Sequence, residues 1–323
     1  MEGFKIYSKA DFLALVSRRE GETRLGEQVQ HVSSAGQLQT STAKFVLLGI
    51  PEDIGVRANY GIAGASTAWQ PALKALLNIQ STPSFKGDEL LVLGHFEFSE
   101  PADNSISGLQ QKVAEIDDLV YPVVQKIVEA GKIPIVIGGG HNNAFPIMKG
   151  ISKALNRPVD VLNIDAHADL RATAGRHSGN GFSYALKQGF LKHYSVFGLH
   201  QNYNNGSILQ EIAKNPDIQA VFFDDMLKSS QPVTMFWDSL LKQSGAAPGL
   251  EIDLDAIADV LSSAVSPSGF SLNEVRSLVL RADKKFAYLH LCEGAVALTD
   301  GRQSTSTPKT IAYLISDFIR SQP

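Results

Sequence analysis

Three features of the 323-residue sequence predict an α/β fold built on a buried, mostly parallel sheet. Eight short, β-rich apolar runs recur along the chain, and segments of helical period separate most of them. Continuous apolar strands alternating with helices mark a sheet covered on both faces. The polar residues that interrupt these runs gather at their C-terminal ends, where parallel α/β folds build their sites. Such a strand count fits an open doubly wound sheet or a β/α barrel, and periodicity does not separate the two.

The elements follow in chain order. Residues 1–42 are polar and end in the Ser/Thr-rich "HVSSAGQLQTSTAK". They read as an N-terminal appendage to the sheet within a single domain spanning 1–323. The runs "KFVLLGI" (44–50) and "ELLVLGHF" (89–96) are the first two strands. "GLQQKVAEIDDLVYPVVQKIVEAGK" (108–132) has the spacing of an amphipathic helix and leads into the strand "IPIVIGG" (133–139). A second helix, "AFPIMKGISKALNR" (144–157), precedes "PVDVLNID" (158–165). "YSVFGLH" (194–200), "QAVFFD" (219–224) and "LEIDLD" (250–255) continue the series. The loop "LSSAVSPSGFS" (261–271) then separates the seventh strand from a helix and the final run, "FAYLHL" (286–291).

Composition narrows the function. The net charge is -4 with no block of Lys and Arg, so nothing suggests a nucleic-acid or anionic-membrane partner. The single cysteine, Cys292, excludes an intramolecular disulfide framework and suits a reducing compartment. The N-terminus is not a signal peptide, and no stretch is long enough to span a bilayer, so a cytoplasmic protein is expected.

The strand ends carry the chemistry. "IVIGGGHNN" holds His141, "VLNIDAHAD" holds Asp165, His167 and Asp169, and "GLEIDLDAI" holds Asp253 and Asp255. Residues two apart share a face of an extended chain, so Asp165, His167 and Asp169 project together wherever that conformation persists. Acids at a core boundary are costly without a cation. Two imidazoles and four carboxylates without a thiolate suit Mn²⁺, Fe²⁺ or Zn²⁺, and the oxygen-rich balance favours Mn²⁺. Two divalent ions would neutralise the four aspartates. Held about 3.5–4 Å apart, they would share a bridging hydroxide. Singly, GGGH is an ordinary tight turn and DxD an ordinary loop or helix cap. The three motifs at successive strand ends point to a metal centre.

At these residues the sequence resembles the ureohydrolase superfamily of arginases, agmatinases and formimidoylglutamases. The family's GGGH, DAHxD and S-x-D-x-D-x-x-D-P motifs appear here as "GGGHNN" (138–143), "DAHAD" (165–169) and "EIDLDAIAD" (251–259). The resemblance covers roughly residues 45–300. It implies a three-layer α/β/α sandwich with a mostly parallel eight-stranded sheet. It further implies two Mn²⁺ per chain on all six candidate ligands, and a homo-oligomer, either trimer or hexamer. Two positions depart from the pattern. Glu251 replaces the usual serine or threonine, and Ala258 stands where the last aspartate falls. Both are expected to alter how Asp253 and Asp255 are oriented.

The loops around the centre resemble those of formimidoylglutamases most. "GVRANYGIAGA" (55–65) is similar to their GVRxNxGRxGA, with Ile62 in place of an arginine, and "HSGNGF" (177–182) is similar to their HSGxxF. Arginases carry a proton-shuttling histidine where this chain has Phe182, and an acid where "GLHQNYNNGS" (198–207) is neutral. N-formimidoyl-L-glutamate has two carboxylates and no free α-ammonium, so its site needs cations. Arg57, Arg171 and Arg176 are the candidates for carboxylate recognition, together with Ser178 and Asn180 of the loop. Glu293 matches the family's amidinium-binding glutamate. Asp169 would orient the attacking hydroxide and carry a proton to the leaving amine. Neighbouring Cys292 has no histidine at recognisable spacing and reads as a buried small hydrophobe. The expected reaction is hydrolysis of the amidine C–N bond to glutamate and formamide, a step in histidine degradation. An arginase or other guanidino-acid hydrolase is the second expectation, and a catalytically silent, metal-stabilised oligomeric scaffold the third.

Overall fold

All eight apolar runs are strands in the computed structural model, which describes residues 3–323. Among the described residues one sheet contains β1 (Phe4–Ile6), β2 (Phe45–Gly49), β3 (Leu90–Phe96), β4 (Ile133–Ile137) and β5 (Val159–Ile164). It continues with β6 (Leu191–Leu199), β7 (Ile218–Phe222), β8 (Gly249–Asp253) and β9 (Tyr288–Cys292). The order across the sheet is β1-β3-β2-β4-β9-β8-β5-β6-β7. Strands β2 to β9 pair in parallel throughout. The expected eight-stranded sheet is therefore corrected to nine. The extra strand, β1, comes from the N-terminal appendage and pairs antiparallel with β3. Only Gly fits opposite it: a Cβ on Gly94, whose φ is +141°, would collide with the Lys5 carbonyl.

Side chains of successive strand residues enter two separate cores, as the two-residue repeat of a strand requires. Leu47, Ile135, Ile137, Leu162 and Ile164 face one layer, with Trp69, Trp237, Phe286 and Phe318. Val46, Leu48, Val136 and Val161 face the other, with Val113, Ile116, Val124 and Ile151. Both faces are apolar because both are covered, which is why the strand sequences do not alternate. The first layer includes the helices Trp69–Leu77, Val233–Gln243, Leu272–Leu280 and Thr307–Ser321. Ile106–Glu129, Ala144–Leu155 and Gly181–Lys187 belong to the second. The sheet has two edges, β1 and β7, so it is an open α/β/α sandwich and not a barrel.

The longest helix shows how the sequence writes this packing. Ser105 caps it by accepting the Gly108 N–H at 3.1 Å. Leu109, Val113, Ile116, Val120, Val123 and Ile127 then recur at three- and four-residue intervals and are all buried. Burying each such side chain contributes about 1.5–3 kcal/mol. No helix among the described residues is long and apolar enough to cross a membrane.

Candidate metal centre

The candidate ligands follow the C-terminal ends of β4, β5 and β8, near the middle of the sheet. They do not converge by simple strand alternation. β5 ends at Ile164, and the Asp165 Oδ1 accepts the His167 N–H at 2.7 Å, turning the chain immediately. Asp253 does the same for the Asp255 N–H at 2.9 Å. Aspartate readily forms such local turns, so each first acid both shapes its loop and keeps a second oxygen for the site. Asp169 has φ +51° and Glu293 has φ +61°, two left-handed non-glycine residues at the rim of one site.

The side chains form two groups that share Asp165. In the first, His141 Nδ1 lies 3.2 Å from Asp165 Oδ2, 3.0 Å from Asp169 Oδ2 and 3.2 Å from Asp253 Oδ2. In the second, His167 Nδ1 lies 3.6 Å from Asp165 Oδ1 and 3.2 Å from Asp255 Oδ2. Both His141 ring nitrogens and Asp255 Oδ1 are buried without a well-formed hydrogen bond. Buried polar atoms are rarely left so. Nitrogen and oxygen donors gathered in two groups, with Asp165 common to both, are a donor set that suits divalent cations.

The electrostatics agree. Burial opposes charge on His167, but Asp255 and Asp165 outweigh it and push the ring up to about 12. His141 is likewise held well above its ordinary value despite its burial. Asp253 is driven well above the carboxylate range by burial and then by the charges of Asp255 and Asp165. This is a pocket whose acids demand compensating positive charge.

A cavity of about 280 Å³ opens over the centre. His167, Asp169, Asp253, Asp255 and Glu293 line it, with Arg171, Ser178 and Asn59 on one side. Tyr203, Asn204 and Asn205 also line it, so the neutral loop expected from the sequence does face the site. The Tyr203 ring stacks on His167 with centroids 5.3 Å apart.

Three of the expected substrate contacts have protein partners of their own. Arg176 is buried, and Asp117, Asn180 Oδ1 and the Asn142 carbonyl accept its donors at 2.7–3.2 Å. Asn180 is fully engaged as well, donating to the Ala172 and Gly175 carbonyls. Arg57 pairs with Asp53 at 3.1 Å and Glu100 at 2.7 Å and does not line the cavity. Arg176 meets an acid fifty-nine residues away, whereas Arg57 meets one four residues before it and a second at Glu100. Ile62 packs, partly buried, against Leu261, Ala295 and Leu298. Cys292 is buried, and burial pushes its thiol well above the ordinary value, consistent with a packing role.

Sequence reasoning missed several supporting residues. Buried Glu52 holds the GGGHNN turn by accepting from the Gly140 N–H and from Asn142 and Asn143 Nδ2 at 2.6–3.1 Å. Asn163 Nδ2 donates to Asp165 Oδ2 at 2.9 Å, and Asn204 Oδ1 accepts the Ala168 N–H at 3.0 Å. An acid three residues past a strand and an asparagine within one were the available signals. Neither indicates its partner. Glu251 does not touch Asp253 or Asp255; it lies behind His141, bonded to Tyr288 and His290.

Comparison with known proteins matches this architecture. The arginase-family model matches residues 43–318. A formimidoylglutamase of Rhodococcus jostii (strain RHA1) is 28% identical over 284 residues, covering 84% of this chain and 83% of its own. One from Salmonella enteritidis PT4 is 31% identical over 220 residues, 66% of this chain and 64% of its own. The solved structure of Trypanosoma cruzi formiminoglutamase with Mn²⁺ has a TM-score of 0.72 at 19% identity, covering 94% of this chain and 100% of that one. Formimidoylglutamase from Bacillus subtilis has a TM-score of 0.75 at 15% identity, covering 94% and 93%. The chain belongs to the arginase family of metal-dependent hydrolases, and its sequence is similar to those of formimidoylglutamases.

Proposed function

We propose that the centre holds two Mn²⁺ ions and that the protein hydrolyses N-formimidoyl-L-glutamate to glutamate and formamide. His141, Asp165, Asp169 and Asp253 would hold one ion, and Asp165, His167 and Asp255 the other. When bound, such ions lower the pKa of water so that it attacks at neutral pH. The observation that carries the substrate is the cavity wall. Tyr203, Asn204 and Asn205 offer no acid to an α-ammonium, while Arg171 offers a planar cation to a carboxylate. Asn59 and Ser178 supply neutral hydrogen bonds beside it. Asp169, on the cavity and beside His141, takes the proton of the attacking water and passes it to the leaving amine.

The test is a substrate panel on manganese-reconstituted protein. We expect kcat/KM for formimidoylglutamate at least about tenfold above those for arginine and agmatine, equivalent to roughly 1.4 kcal/mol. Metal analysis should approach two ions per chain, and saturation at one or none would remove the dinuclear reading. A guanidino acid with a single carboxylate is the second reading. It is favoured because only Arg171 of the three candidate arginines lines the cavity. Urea released from such a compound at the higher efficiency would replace the first reading with the second.

Glu293 provides a separate check. Its Oε1 accepts the His141 N–H at 2.8 Å, leaving the rest of the carboxylate to the cavity. In Glu293→Gln the amide oxygen can keep that bond, which turns an NH₂ group toward the amidinium, donor against donor. We expect kcat/KM to fall by about ten- to a hundredfold, from the loss of a charged hydrogen bond of about 1.5–3 kcal/mol, with metal content unchanged. Loss of metal instead would make Glu293 a support of the centre and not a substrate contact.

A further inference from the structure

Behind the candidate ligands, on the side away from the cavity, lies a second polar cluster with no counterpart in the expected ligand set. It is built on Glu251, one of the two departures from the family pattern. The Glu251 carboxylate is inaccessible to solvent, and so are His141 and His290. Glu251 Oε1 accepts the Tyr288 hydroxyl at 2.6 Å, and Oε2 lies 2.6 Å from His290 Nδ1. The opposite nitrogen of His290 reaches the Gly138 carbonyl at 3.3 Å. The same Glu251 Oε2 is 3.5 Å from His141 Nε2.

His141 therefore stands between two sets of acids. Its Nδ1 faces Asp165, Asp169 and Asp253, and its Nε2 faces Glu251. An imidazole that binds a metal through Nδ1 must carry its proton on Nε2. The 3.5 Å approach is a charge contact and not a hydrogen bond, but a carboxylate set against that N–H favours this tautomer and makes the ligating nitrogen more basic. We infer that Glu251, braced by Tyr288 and His290, is a positioning residue that sets the metal affinity of His141. β8 and β9 are adjacent and pair Glu251 with His290 in register, so the brace follows directly from the sheet. A serine or threonine at 251 is too short to reach all three partners.

The inference rests on the reading of the centre as a metal site, and the experiment separates the two. Glu251→Gln nearly keeps shape but removes the charge facing His141 and halves the acceptor oxygens for Tyr288 and His290. Tyr288→Phe leaves the carboxylate and removes one brace. Manganese affinity is measured by chelator competition, followed by the electron paramagnetic resonance of free Mn²⁺, alongside thermal melting of the metal-free protein. We expect Glu251→Gln to weaken one of the two manganese sites by about ten- to a hundredfold, and the other by less. Tyr288→Phe should weaken the same site by a smaller factor. A purely structural role would lower the melting point of the metal-free protein and leave both affinities within twofold of wild type, which overturns the inference. If Glu251→Gln does not fold, Tyr288→Phe decides alone by the same criterion. Wild-type protein that takes up no manganese would defeat the reading of the centre as well; two ions in wild type with unaltered affinities in the variants defeat this inference only.

Discussion

Asp169→Asn is expected to reduce turnover by about 10²–10⁴-fold, the range for losing a positioned acid–base group, while the fold survives. The side chain sits 3.0 Å from His141 Nδ1 and lines the cavity, so the change falls at the chemistry. Asparagine is also one of the few residues that accepts a left-handed backbone, and φ at 169 is +51°. The usual objection to a substitution at a strained position therefore does not apply. The amide keeps one acceptor oxygen but loses the negative charge and the capacity to take a proton. The measurement is steady-state kinetics on metal-loaded protein beside far-ultraviolet circular dichroism. Wild-type rates with an intact spectrum would remove Asp169 from the mechanism.

Arg176→Met is the corresponding large effect on stability, expected at about 3–5 kcal/mol, the usual cost of breaking a buried pair from one side. Methionine replaces the volume against Phe145 and Tyr184, whose rings lie 4.9 and 5.0 Å from the guanidinium carbon. It leaves the Asp117 carboxylate without its side-chain donor and takes the Arg176 donor from the Asn142 carbonyl and from Asn180 Oδ1, which keeps only the His177 N–H. The loss has a definite pH sign. Burial raises Asp117 from 3.8 to about 6 even with Arg176 pulling it down. A raised carboxyl costs nothing below its unfolded value and costs most above its folded one. Without Arg176 the folded value rises further, so the deficit should be largest near pH 8 and shrink toward pH 4. Urea unfolding of metal-free variant and wild type at each pH isolates this, because the other acids cancel in the difference. A deficit under 1 kcal/mol at pH 8, or one that grows toward pH 4, would contradict the pairing.

The parts legible in the sequence were those fixed by local pattern. Eight strands and their order of appearance follow from continuous apolar runs, and the six ligand candidates follow from acids and imidazoles at the ends of those runs. β1 was not legible, because Phe4–Ile6 is three residues long with a lysine at its centre. Its pairing depends on Gly94, which lies eighty-eight positions beyond Ile6. The arginines failed for a related reason. Composition says that Arg176 carries a charge, but not that Asp117, inside an otherwise ordinary amphipathic helix, points inward to meet it. Glu251 was noticed as a departure, yet its partners lie on a neighbouring strand and at the end of another, so its direction required the sheet register.

The strand order carries a consequence for biosynthesis. His141 follows β4 and Asp165 follows β5, but β9 and β8 lie between them. Three strand spacings separate β4 from β5, about 14 Å at the usual sheet repeat. While the chain emerges from the ribosome, N-terminal end first, the segment through residue 222 can pair β1-β3-β2-β4 and β5-β6-β7 as two ribbons. No strand pairing yet joins them, although the helical layer already links them through contacts such as Arg176 with Asp117. Only when residues 249–292 have been translated and inserted down the middle do Asp253 and Asp255 take their places beside His141 and His167. A chain that ends before β8 therefore lacks Asp253 and Asp255, two of the six candidate ligands.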